Sequence, residues 1–107
     1  MIFRLSFMQK LIEQNLSEIK NLMINHQVEK AYVFGSAAKT EMKEKSDVDF
    51  LIIFSKNTNL NTYAAHYFDL MYALQDLLNC EVDLVEEKTI SNPYLLKSIN
   101  ESKLLLI

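Results

Sequence analysis

Three aspartates and a single glycine carry the chemistry available to this chain. Asp47 and Asp49 flank Val48, and Asp83 stands near the start of a later apolar run, Val82-Asp83-Leu84-Val85. If each run is a strand, Asp47 and Asp49 point to one face, because side chains alternate along a strand. If the two strands are parallel neighbours in the natural register, Asp83 faces the same way. Three carboxylates so placed repel one another unless a cation is present. Oxygen-only ligands favour a hard ion such as Mg²⁺ or Mn²⁺, and two such ions about 4 Å apart can clamp a transferring phosphoryl group.

Gly35 is the only glycine in 107 residues, where average usage of about 7% would supply roughly seven. It stands between an apolar run and Ser36, where a backbone can come unusually close to a ligand. A glycine and a serine at the start of a helix offer free N–H groups, a hydroxyl and the positive end of a helix dipole. Those groups suit the β- and γ-phosphates of a nucleoside triphosphate, and Lys39, one turn on, adds a point charge. Each feature alone says little: Gly-Ser is common at turns, Ser46-Asp47 fits a cap or turn, Asp-x-Asp is a weak signal, and a lone Asp83 is most often an edge-strand charge. The reading rests on their combination.

The elements that must position these residues follow from periodicity. Ser6 with Gln9 fits a capping box, and Met8, Leu11, Ile12, Leu16, Ile19, Leu22 and Met23 recur at spacings of three and four. One amphipathic helix is predicted from about residue 7 to about residue 25, closed by Asn25 and His26, with Asn25 suited to the left-handed conformation. Lys30 to Phe34 reads as a first strand and Val48 to Phe54 as a second. Apart from Asp49 the second is an unbroken apolar run, which implies burial on both faces and a central position. A short helix is predicted from Ser36 to about Lys43, and Ser55 to Asn61 reads as a polar loop. Tyr63 to Leu78 is a long helix with Tyr67, Leu70, Met71, Leu74, Leu77 and Leu78 on one face. Glu81 to Val85 is a third strand. Ser91-Asn92-Pro93 opens a last helix to about Asn100, and Leu104 to Ile107 reads as an edge strand or a contact surface. The helix between the second and third strands fits a right-handed parallel crossover. The shorter connection between the first two leaves antiparallel pairing open. That pairing would bring Gly35-Ser36 beside Asp47 and Asp49.

Other residues read more plainly. His66 sits on the polar or flanking side of its helix, in a surface or partly buried role, and Cys80 reads as a small buried hydrophobe. Tyr67 reads as core, and Tyr63 is a candidate to stack on a base. The length fits one domain, residues 1–107. A net charge of −3 offers no sequence-wide attraction to nucleic acid or an anionic membrane. The one cysteine cannot form an intramolecular disulfide, and no Cys/His cluster has zinc spacing. Neither a signal-peptide core nor an apolar run of about 20 residues is present. A cytoplasmic protein is the expectation.

At Gly35-Ser36, ten residues, Asp47-Val48-Asp49, the sequence resembles the minimal nucleotidyltransferases of the DNA polymerase β superfamily, whose signature is G-S-x10-D-x-D. The similarity extends to FDLMYALQDLLNCEVDLVEEKTI and covers nearly the whole chain. It implies an α/β (α+β) fold, a mixed three- to four-stranded sheet flanked by helices. It also implies Asp47, Asp49 and Asp83 as catalytic metal ligands for Mg²⁺, and Gly35 and Ser36, with Lys39, as the grip on ATP. Short members of the family are commonly antitoxins paired with a helical HEPN-type ribonuclease toxin, and some transfer AMP from ATP to a tyrosine of that toxin. The alternative is an antitoxin that neutralises its partner by binding alone. The family often carries Arg directly after Gly-Ser and Gly three residues later; here those positions are Ala37 and Thr40.

Overall fold

The computed structural model describes residues 7–34 and 48–107. The first helical segment is two helices, α1 (Phe7–Gln14) and α2 (Leu16–Asn25), where the periodicity predicts one. Asn15 makes the break. Its side-chain amide donates to the Leu11 carbonyl at 2.9 Å, the acceptor a continuing helix would offer to its backbone. The Asn15 N–H turns to Ile12 O instead. An Asn that bonds its own preceding turn competes with the helix ladder. The apolar stripe survives the break, with Ile12, Ile19 and Met23 buried. The reversal after α2 also differs from expectation. His26 caps the helix, its Nδ1–H donating to Leu22 O at 2.7 Å, and the left-handed residue is Gln27 at φ 69°, not Asn25. With the last turn closed by His26, the reversal moves on to Gln27.

Strand β1 (Val28–Phe34) starts two residues earlier than expected, with an irregularity between Val28 and Lys30. Strand β2 (Val48–Phe54) has the expected bounds. Helix α3 (Leu60–Leu78) begins before Tyr63, because the Asn59 side chain accepts from Asn61 N–H at 2.8 Å and caps the helix there. It ends at Asn79, in the left-handed conformation at φ 52°. Strand β3 (Val82–Glu86) passes into a 3₁₀ turn at Glu87–Thr89. Helix α4 (Pro93–Ser102) follows, with Asn92 Oδ1 accepting from Tyr94 N–H and Leu95 N–H and Pro93 in its first turn. Strand β4 (Leu104–Leu105) ends the order.

The four strands form one mixed sheet in the order β3-β2-β1-β4. β1 is antiparallel to β2 and to β4, and β2 is parallel to β3 across the α3 crossover. β2 is central, as its apolar run implies: Val48, Phe50, Leu51 and Ile52 are fully buried. The main core cluster lies on one face, while the fully buried Leu51 turns to the other. On the core face Val48, Phe50, Ile52 and Phe54 join Ala31 and Val33 of β1 and Val82 and Leu84 of β3 under Ile19, Met23, Leu70, Leu74 and Leu78 of the helices. Cys80 is half-buried against this cluster. Among the described residues, no helix is long and apolar enough to cross a membrane.

Candidate active site

The core fixes the other face by alternation. Val48 and Phe50 turn inward, so Asp49 turns to the opposite side; Val82 and Leu84 do the same for Asp83. The two aspartates are register partners on the parallel pair β2–β3. Partners on neighbouring strands sit about 4.8 Å apart and present side chains to the same face. Val48 N–H donates to Glu81 O at 3.1 Å, which ties the start of β2 to the residue before β3 and holds this register. Asp49 is half-buried and Asp83 exposed. Asp49 and Asp83 therefore share one face as register partners, the placement expected of parallel neighbours.

The remaining expected residues, Gly35, Ser36, Lys39 and Asp47, with Ala37 and Thr40 and the short helix after Ser36, lie outside the described residues. Their covalent neighbours are in place. Phe34, bonded to Gly35, is the register partner of Asp49 on β1, and Val48, bonded to Asp47, opens β2. The antiparallel pairing left open by the sequence is thus the one that holds. Among the described residues no group of three or more His, Cys, Asp or Glu side chains gathers around a common point. Two carboxylates on one face supply only oxygen, a donor set that fits a hard divalent cation.

Two residues change the picture drawn from sequence. Tyr63 packs edge-on against Phe54, ring centroids 4.9 Å apart, and Phe54 belongs to the core face. Tyr63 is therefore on the side of the sheet away from Asp49 and Asp83 and does not stack on a base there. Its pKa is raised by burial first, then by the charge of Glu86. Lys103 is the residue that sequence reasoning missed. Tyr32 lies between core-facing Ala31 and Val33, so its ring is on the carboxylate side, and Lys103 Nζ rests 4.0 Å from the ring centroid. The strand pairing of Tyr32 with Leu105 accounts for this approach, because it brings the C-terminus alongside β1. A cation is thereby placed on the same face of the sheet as Asp49 and Asp83. The signal available in sequence was a lysine just before the last apolar run.

His66, read from sequence as flanking, is half-buried and meets His26 edge-on at 6.0 Å. Tyr67, read as core, is half-buried, and its hydroxyl donates to Leu84 O.

Residues 17–107 match the family described as polymerase beta, nucleotidyltransferase. A Methanocaldococcus jannaschii protein provisionally named a protein adenylyltransferase is 36% identical over 96 residues, 82% of this chain and 94% of that one. A second protein of that organism, named in the same way, is 38% identical with the same coverage. Among solved structures, a provisionally named minimal nucleotidyltransferase superposes with a TM-score of 0.74 at 27% identity, covering 90% of this chain and 93% of its own. The fold is also shared with the structure described as a tri-AMPylated Shewanella oneidensis HEPN toxin in complex with its MNT antitoxin. There the TM-score is 0.64 at 18% identity, with 89% of this chain and 71% of that chain covered. The sheet order, the aspartate register and these likenesses agree: the chain belongs to the polymerase beta nucleotidyltransferase family.

Proposed function

We propose that this chain is a Mg²⁺-dependent protein adenylyltransferase and the antitoxin of a toxin–antitoxin pair. It transfers AMP from ATP to a tyrosine hydroxyl of a HEPN-type ribonuclease partner in the cytoplasm. The observation that carries the reading is the register pairing of Asp49 with Asp83 on the face opposite the core. The relatives' names and the AMPylated toxin complex support the acceptor class.

Asp47, Asp49 and Asp83 would hold the divalent ions, which when bound neutralise charge on the phosphates. Gly35 and Ser36 bind the β- and γ-phosphates, with Lys39 and Lys103 as nearby cations. The acceptor oxygen attacks the α-phosphorus in line, the bond from the α-phosphorus to the bridging oxygen breaks, and pyrophosphate leaves. Asp83, the more exposed of the two described carboxylates, takes the hydroxyl proton. The net charge of −3 gives no general attraction to nucleic acid, so the acceptor is sought on a protein.

The test is incubation of the chain with its partner toxin, ATP and Mg²⁺, followed by intact mass measurement of the partner. Addition of whole AMP units is expected, and loss of that addition in Asp49→Asn and in Asp83→Asn. A partner that is inhibited yet unmodified would refute the catalytic reading and leave neutralisation by binding.

A further inference from the structure

On the helix-covered side of the sheet, α3 and the end of β3 enclose a cleft of about 330 Å³, lined in part by Tyr63, Tyr67, Phe68, Leu84 and Glu86. That volume is at the lower limit for small-molecule pockets, which start at about 300 Å³, and it suits one inserted side chain. Among the described residues, Glu86 is the one buried charged side chain, at 4% exposure. Its Oε2 accepts from Lys88 N–H at 2.8 Å, and among the described residues its carboxylate meets no cationic side chain. A carboxylate withdrawn from water favours a cation brought to it. At the mouth, Phe68 is 48% exposed and stacks with Tyr72, 59% exposed, at 6.4 Å between centroids. This aromatic pair extends one helical turn beyond the cleft, further than a free small cation would cover.

We propose that this cleft is a docking socket for an arginine side chain of a partner protein, its guanidinium beside the Glu86 carboxylate and its plane against the Phe68 ring. Arginine fits better than lysine, because the planar guanidinium is weakly hydrated, pairs with a carboxylate through two donors and stacks on an aromatic face. A buried anchor rimmed by exposed aromatics is also how binding energy concentrates at protein interfaces. The socket stands independently of the transfer reaction, since it lies across the sheet from Asp49 and Asp83.

The test is an amide NMR titration of the full chain with acetyl-Leu-Arg-Leu-amide, its citrulline counterpart and N-acetyl-arginine amide. The arginine peptide is expected to give saturable shifts at Ala64, Val85, Glu86 and Lys88. The citrulline peptide should bind at least about tenfold more weakly, since it loses the charge but keeps the shape. Glu86→Gln, which keeps an oxygen for Lys88 N–H, should erase that preference. Ala64→Leu, at an exposed position on the cleft wall, should abolish binding and decides the matter if the Gln variant does not fold. No saturable shift with the arginine peptide, or equal affinity for the citrulline peptide, would overturn the proposal. So would equal affinity for N-acetyl-arginine amide, which would make the cleft a small-cation site.

Discussion

Replacing Tyr67 with phenylalanine removes one hydroxyl and leaves the ring in place. That hydroxyl donates to the carbonyl of Leu84, the residue next to Asp83, and so ties α3 to β3. The ring itself packs against the core and meets Phe68 edge-on at 5.2 Å, contacts the substitution retains. No cavity forms, so the expected cost is the hydrogen bond alone. That is about 1 kcal/mol net, rising toward ~2 kcal/mol if the half-buried Leu84 carbonyl finds no water. For a chain of 107 residues this corresponds to a fall in Tm of about 4 °C per kcal/mol. Urea unfolding should show a lower midpoint with an unchanged slope. The pKa of Tyr67 is raised above 10.0, by burial first and then by the negative charge of Asp83. A raised tyrosine pKa means that the native state holds its proton longer than the unfolded state. The associated stability is fully present below the unfolded value and is lost as pH rises through the folded one. The gap between wild type and Tyr67→Phe should therefore be flat in the neutral range and shrink above about pH 10. A gap below about 0.3 kcal/mol at neutral pH, or one that widens in alkali, would refute the reasoning.

Thr58 Oγ1 is buried without a hydrogen-bond partner among the described residues, while its N–H donates to Ser55 O. Thr58→Val keeps the shape and should raise stability by about 1 kcal/mol in urea unfolding; a loss would mean that the hydroxyl is satisfied in solution. Asn92→Ala removes the acceptor for Tyr94 N–H and Leu95 N–H. It should cost about 1 kcal/mol, with faster hydrogen exchange at those two amides; unchanged exchange would deny the cap. Lys103→Met should weaken Mg²⁺–ATP binding about fivefold in calorimetry, the effect of about 1 kcal/mol from one half-buried cation. Its effect on stability should stay within about 1 kcal/mol, the scale of its contact with Tyr32. Unchanged ATP affinity would place Lys103 outside the phosphate path.

Most of the sheet was legible because two periodicities are strong in this chain. The run Phe50–Phe54 is apolar without a break and reads as a central strand, and the alternation around Asp83 set its face once β2 and β3 were parallel. What escaped were features decided by single polar side chains. Asn15 splits a helix whose apolar stripe continues across the break, and Asn59 starts α3 earlier than its apolar pattern does. Such residues carry local hydrogen bonds that hydrophobic periodicity does not register. Lys103 escaped for a different reason. Its place on the carboxylate face depends on β4 pairing with β1, a contact between segments about 70 residues apart in sequence.

The two faces of β3 divide stability from chemistry, and this division explains how the site tolerates its own charge. Val82 and Leu84 are buried in the core, while Asp83 between them is exposed beside Asp49. Like charges on adjacent strands push apart, at about 1 kcal/mol for charges roughly 4 Å apart in water-like surroundings. β3 is also at the end of the sheet order, paired on one side with β2. The opposing hold comes from the other face: two buried aliphatic side chains, worth about 1.5–3 kcal/mol each, and the Tyr67 hydroxyl on Leu84 O. That margin is sufficient to keep β3 in register with β2. A core substitution such as Leu84→Ala would consequently reduce activity by releasing the strand, and binding of the cation should restore part of it. On the proposed role of Asp83 as a metal ligand, Asp83→Asn would leave nothing for the cation to restore.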